Sequence, residues 1–172
     1  MPRNVETKAR IDSVDALATV VAVIADSGSK EIIQDDTFFH CDGGCLKLRM
    51  FPSDSGELIF YRRSDEQGPK ESFYVRSPTA EPETLRETLS LAYGQAGRVC
   101  KRRTLFLVGR TRVHLDRVEG LGDFMELEGV LEDGETTQEG IREAHELMDR
   151  LGIGADRLVQ GSYVDLLNAL SG

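Results

Sequence analysis

Residues 114–128 read "HLDRVEGLGDFMELE". Before the glycines, Arg112, His114 and Asp116 alternate with Val113 and Leu115; after them, Glu126 and Glu128 alternate with Met125 and Leu127. A period of two is the signature of a strand, with successive side chains on opposite faces. Gly120-Leu121-Gly122 between the two runs marks a hairpin turn. Each strand thus presents one charged and one apolar face, and the carboxylates fall on the charged face.

The same pattern recurs outward from this hairpin. "NVETKAR" (4–10) sets Asn4, Glu6, Lys8 and Arg10 against small or apolar residues. Residues 45–51 pair Lys47 with Arg49, 57–63 pair Tyr61 with Arg63, 71–77 pair Tyr74 with Arg76, and 98–109 pair Lys101 with Arg103. Strands are expected over 3–11, 35–41, 45–51, 57–63, 71–77, 98–109, 110–118 and 123–131. The turns include 42–44, 52–56 and a polar stretch through Gly68-Pro69, and Pro78 is expected to end its strand. Helices are expected over 12–27, capped by Asp12 or Ser13 and stopped at Gly28, and from Pro82 to Tyr93. A third runs over about 137–151, with a Thr136/Glu139 capping box, and a short last one contains "YVDLLNAL". The turns are too short for crossover connections, so the pairing is antiparallel and the class is α+β. With no repeat, linker or low-complexity segment, 1–172 reads as a single domain.

An antiparallel sheet with one wet face would also show this alternation. Here, however, the charges are sorted along the chain. The middle strands carry Lys and Arg on the polar face, the first strand carries both signs, and the last two carry Asp and Glu. About eight such strands tend to close on themselves, which turns the polar faces inward around a wet cavity. Clustered Lys and Arg in a cavity repel one another and favour a bound anion. Carboxylates beside them would repel that anion unless a divalent cation lay between. A polyphosphate with Mg²⁺ or Mn²⁺ satisfies both requirements: Arg and Lys bind its oxygens, and a hard cation bridges carboxylate and phosphate.

Composition narrows the classes further. The chain has 172 residues, with 21 Lys and Arg against 30 Asp and Glu, a net charge of −9. With the cations turned inward, the acidic balance belongs to the outer shell. That argues against nucleic acid, which needs a basic patch, and against anionic lipid. No apolar run is long enough to span a bilayer, and "MPRNVETK" has no secretory apolar region. Three cysteines in such a chain are expected to be reduced thiols in a cytoplasmic protein. His40, Cys41 and Cys45 lack a second ligand pair at zinc spacing. The glycine pairs read as turns, and no G-x₄-G-K-[ST] phosphate loop is present. Whether His114 lines the cavity or is a structural histidine, and whether Tyr163 caps one mouth of the barrel or packs in the core, stays open at this stage, as does a homodimer.

These segments resemble the CYTH family, or triphosphate tunnel metalloenzymes, which includes class IV adenylyl cyclases and thiamine triphosphatases. The family's first-strand signature E-x-E-x-K stands here as Asn4-Val5-Glu6-Thr7-Lys8. "QDDTFF" (34–39), "LKLR" (46–49), "KRR" (101–103), the 114–128 hairpin and "GSYVDLL" (161–167) follow in family order. The resemblance implies an eight-stranded antiparallel closed barrel, open at both ends, with triphosphate inside. It implies metal ligation by Glu6, Glu126 and Glu128, with Asp116 as a further carboxylate at or behind the metal. It implies triphosphate contacts from Lys8, Lys47, Arg49, Lys101, Arg103 and Arg112; strand parity adds Arg10, Arg63 and Arg76. Asn4 replaces the signature's first Glu, and its amide oxygen could ligate a cation without contributing charge. Lys8 and Glu6 are the catalytic candidates, Lys8 either orienting or deprotonating the nucleophile or only neutralising phosphate. The overall pattern favours a cyclase forming cyclic AMP and pyrophosphate from ATP. A triphosphatase acting on tripolyphosphate, thiamine triphosphate or a nucleoside triphosphate is the main alternative. A polyphosphate-binding module without catalysis is the third.

Overall fold

A computed structural model describes residues 3–63 and 67–171. Eight strands form the frame: β1 (Arg3–Arg10), β2 (Lys30–Phe39), β3 (Cys45–Met50), β4 (Gly56–Arg63), β5 (Lys70–Thr79), β6 (Gln95–Val108), β7 (Thr111–Val118) and β8 (Gly122–Leu131). They close into an antiparallel ring in the order β1-β5-β4-β3-β2-β6-β7-β8. The helices are α1 (Val14–Ile24), α2 (Pro82–Tyr93), α3 (Thr137–Leu151) and α4 (Tyr163–Ser171), with a 3₁₀ turn at Ala155–Arg157. None of them, among the described residues, is long and apolar enough to cross a membrane.

Ring closure follows from the two-sided strands. The outward residues of β6, β7 and β8, among them Phe106, Val113, Leu115, Met125 and Leu127, form one core with Val14, Leu17 and Val21 of α1 and Leu147, Met148 and Leu151 of α3. α3 also seals Val5 and Leu131 across the β1–β8 junction. Gly140 permits this contact, since a Cβ there would lie 2.6 Å from Val5 Cγ2. With the apolar faces covered from outside, the polar faces have only the interior left to them. A second apolar cluster lies within the ring: Val99, Val118 and Phe124 pack with Tyr163 and Val164 of α4. The two free mouths implied by the resemblance are therefore modified, because α4 packs over one of them.

Several boundaries differ from the sequence reading for local reasons. β5 runs through Pro78 because it pairs there only with β4; its register with β1 covers Lys70–Phe73 alone. A missing N–H costs nothing on an unpaired edge. β2 starts at Lys30, and Lys30–Gln34 pair only with β6, an edge position that tolerates Lys and Glu. Ser13 does cap α1, its Oγ accepting from Ala16 N at 3.2 Å. The helix stops short of Gly28 because Asp26 N bonds to Leu107 O and ties the exit to β6. α3 has the expected limits without the capping box; Thr136 makes no side-chain cap bond. Gly120 and Gly122, both at positive φ, turn the β7–β8 hairpin as read. The polar turn after β4 falls in part on residues 64–66, outside the described residues.

Candidate functional site

Inside the ring lies a cavity of about 290 Å³. Eight Lys or Arg side chains and four carboxylates from the described residues line it, so its wall is net cationic inside an acidic protein. Period-two alternation places them: Lys47 and Arg49 on β3, Arg63 on β4, Arg76 on β5, Lys101 and Arg103 on β6, Arg112 on β7, Glu126 and Glu128 on β8, and Asn4, Glu6 and Lys8 on β1.

The cations are organised by two buried aspartates. Asp36, on β2 and 1% exposed, accepts from Arg49 Nε at 2.8 Å and Nη2 at 2.9 Å. Lys47 Nζ lies 3.2 Å and Lys101 Nζ 3.5 Å from the same carboxylate. Burial alone would raise the Asp36 pKa, but Arg49, Lys47 and Lys101 together hold it well below the usual carboxylate range. Asp116, 0% exposed, takes Arg103 in the same two-pronged way, from Nε at 2.7 Å and Nη2 at 2.8 Å. Tyr163 also donates its hydroxyl to Asp116, at 2.7 Å. Both oxygens of Asp116 accept hydrogen bonds here, and its carboxylate holds Arg103.

The opposite wall carries the remaining carboxylates. Cross-strand register brings Glu6 opposite Glu128 and Lys8 opposite Glu126. Burial, and beyond it the charges of Glu128 and Glu126, raise the Glu6 pKa, while Arg63 opposes them. Each carboxylate leans on a cation: Glu6 on Arg63 at 3.0 Å, Glu126 on Arg103 at 2.9 Å and Lys8 at 3.5 Å, and Glu128 on Arg112 at 2.6 Å. Among the described residues no three His, Cys, Asp or Glu are gathered as a ready metal site. The donor set nevertheless suits a hard divalent cation. Glu6 is repelled by both Glu126 and Glu128, and Asn4, whose buried Oδ1 has no hydrogen-bond partner, lines the same cavity.

Desolvation shapes the lysines. Burial pushes Lys101 down to about 7, against the pull of Asp36, and pushes Lys8 and Lys47 down to about 8. Burial, and then Arg103 beside it, lowers His114 to about 4. His114 is therefore neutral at pH 7, and its 4.0 Å approach to Glu126 is not an ion pair.

Most of the expected residues converge on the cavity. Arg10 does not: it is exposed at the end of β1, its guanidinium 4.9 Å from the Phe124 ring centroid, because the apolar cluster under α4 fills the interior at that level. Arg76 lines the cavity at its rim, 48% exposed and forked onto Glu57. Asp36, Gln34 and Ser72 also line the wall and went unread. Extending the period-two pattern back to Lys30 would have put Gln34, Asp36 and Phe38 on the inner face. Both readings of Tyr163 hold: it packs edge-on against Phe124 with centroids 5.1 Å apart, and its ring faces Lys8 Nζ at 4.1 Å.

Comparison with known proteins agrees with this geometry. The CYTH domain profile matches residues 2–163. An adenylate cyclase CyaB of Aeromonas hydrophila is 28% identical over 168 residues, covering 93% of this chain and 86% of that protein. Among solved structures, the PH1012 protein of Pyrococcus horikoshii superposes with a TM-score of 0.84 at 21% identity, over 95% of this chain and 98% of that one. A Hippeastrum adenylyl cyclase candidate, whose structure is described as revealing a dominant triphosphatase activity, superposes with a TM-score of 0.70 at 14% identity, over 98% and 96%. With the profile covering nearly its whole length, the chain belongs to the CYTH domain family.

Proposed function

We propose that this protein is a divalent-metal-dependent enzyme that binds a triphosphate chain inside its ring and converts ATP to cyclic AMP and pyrophosphate. The observation carrying this reading is the convergence of Lys47 and Arg49 from β3 with Lys101 and Arg103 from β6, the strands on either side of β2, on one cavity that Glu6, Glu126 and Glu128 also line. Guanidinium forks and ammonium groups match non-bridging phosphate oxygens. The name of the Aeromonas relative supports the cyclase over the other reactions.

In that reaction the ribose 3′-oxygen bonds to the α-phosphorus, the bond from that phosphorus to the bridging oxygen breaks, and pyrophosphate leaves with the electron pair. Lys47, Arg49, Lys101 and Arg103 bind the phosphate chain and stabilise the charge that builds on the leaving group. Glu6, Glu126, Glu128 and the Asn4 amide oxygen would hold Mg²⁺ or Mn²⁺, which supplies further neutralisation of phosphate charge. Lys8 is positioned by Gly161 O at 3.1 Å and by Glu126. Its pKa of about 8 leaves some neutral amine near neutrality to receive the hydroxyl proton. A second reading, triphosphatase, has a specific support: 290 Å³ lies near the lower end of small-molecule sites, roughly 300–1,000 Å³, and suits the phosphate chain alone.

Incubation with ATP, tripolyphosphate and thiamine triphosphate, each with Mg²⁺ or Mn²⁺, decides between them. The expected result is cyclic AMP and pyrophosphate from ATP. Orthophosphate as the product would establish the triphosphatase, binding without turnover a binding module, and neither binding nor turnover would overturn the reading.

The lysines add a pH dependence. Bound phosphate favours the charged ammonium, so the pKa values of Lys47 and Lys101 rise on binding. Affinity for tripolyphosphate is then expected to fall as pH rises from 7 to 9 through their free-state values of about 8 and about 7. The stability of the unliganded protein has the opposite slope. The unfolded chain keeps these protons up to the ordinary lysine value of 10.5, so folding becomes more favourable between about 7 and 10.5. Calorimetric titration and urea unfolding over that range measure the two slopes.

A further inference from the structure

We propose that Asp36 is a positioning residue of the phosphate site: although itself an anion, it is required for anion affinity because it aims Arg49 and gathers Lys47 and Lys101. This rests on the triphosphate reading above. Asp36 faces into the ring from β2, is 1% exposed, and touches cations from both neighbouring strands, β3 and β6. Its two oxygens engage the Nε and Nη2 edge of Arg49, which fixes the plane of the guanidinium and leaves Nη1 as the end not used by that carboxylate. A guanidinium on a flexible stem loses rotamer freedom on binding phosphate, and one already locked loses less. Asp36 also lets two ammonium groups and a guanidinium stand close together in a cavity where they would otherwise repel. Its pull on the proton of Lys101 works in the same direction.

The test separates aim from net charge. Removing a carboxylate from an anion site should tighten anion binding if only summed charge counts; loss of positioning weakens it. Tripolyphosphate binding is measured by calorimetry at pH 7 for wild type, Asp36→Asn and Asp36→Glu, with thermal unfolding beside each. Failure of the wild type to bind would defeat the triphosphate reading itself. Given wild-type binding, Asp36→Asn is expected to bind about 10- to 100-fold more weakly, and Asp36→Glu to recover part of that loss. Asparagine binding as tightly as wild type or tighter, or glutamate no better than asparagine, would overturn the proposal. Should Asp36→Asn fail to fold, Asp36→Glu decides alone: it keeps the charge and displaces the fork. Binding weaker than wild type supports aim over summed charge, and unchanged binding overturns the proposal.

Discussion

Replacing Arg103 with methionine is expected to lower the free energy of unfolding by about 3–5 kcal/mol at pH 7, the usual cost of stranding one member of a buried ion pair. Asp116 is 0% exposed, and Arg103 supplies two of its three hydrogen bonds. Without the guanidinium, the carboxylate keeps only the Tyr163 hydroxyl. The deficit should shrink on acidification, for two reasons. In the wild type, burial would raise the Asp116 pKa, but Arg103 holds it below the ordinary carboxylate value. Stability from the pair is therefore present above the unfolded value and is lost as pH falls through the folded one. In the variant the folded pKa lies above the unfolded value, so the penalty is felt at neutral pH and disappears below about pH 4. Adding Asp116→Asn should restore part of the loss, because no buried charge remains. Urea unfolding at pH 7 and pH 4 measures all three. A loss below about 1 kcal/mol for Arg103→Met would mean that water or another cation reaches Asp116.

Glu128→Ala is expected to cut turnover about 100-fold or more while leaving the thermal midpoint close to wild type. The two effects separate because the partner of Glu128 is Arg112, whose side chain is 37% exposed and can turn to solvent when released. Nothing buried is stranded, in contrast to Arg103. The lost activity would come from removing one of the three carboxylates proposed to hold the cation, so raising Mg²⁺ or Mn²⁺ should recover part of the rate. Full activity in Glu128→Ala would remove it from the cation-holding set.

The charged faces of most strands were legible because period-two alternation needs no knowledge of pairing. Lys47 with Arg49, Lys101 with Arg103 and Glu126 with Glu128 each declare a shared face by spacing alone. The helices were legible from their apolar stripes and from Pro82, and their ends were not, because exits such as Asp26 onto Leu107 O are long-range bonds. Asp36 stayed hidden for a related reason. Its face is shared with Gln34 and Phe38 rather than with other charges, and its meaning comes from β3 and β6 on either side. Asp116 could be read as facing inward, but its pairing with Arg103 could not, because it depends on β6 register. The fate of Arg10 turned on α4, whose seating against Phe124 leaves no room for charge at that level.

The first strand of the ring is also the last to find both neighbours. β1 pairs with β8 along Arg3–Arg10 and with β5 over four positions, so a strand made before the other seven waits until residue 131 has emerged to complete its pairing. Such distant pairing makes for slow folding, since a long loop must close before any contact rewards it. Until then Glu6 and Lys8 are apart from Glu126 and Glu128, and the nascent chain exposes unpaired edges that invite association with other chains. Conditions that screen charge, or a polyanion that binds Lys47, Arg49 and Lys101 early, would therefore alter refolding yield as well as catalysis.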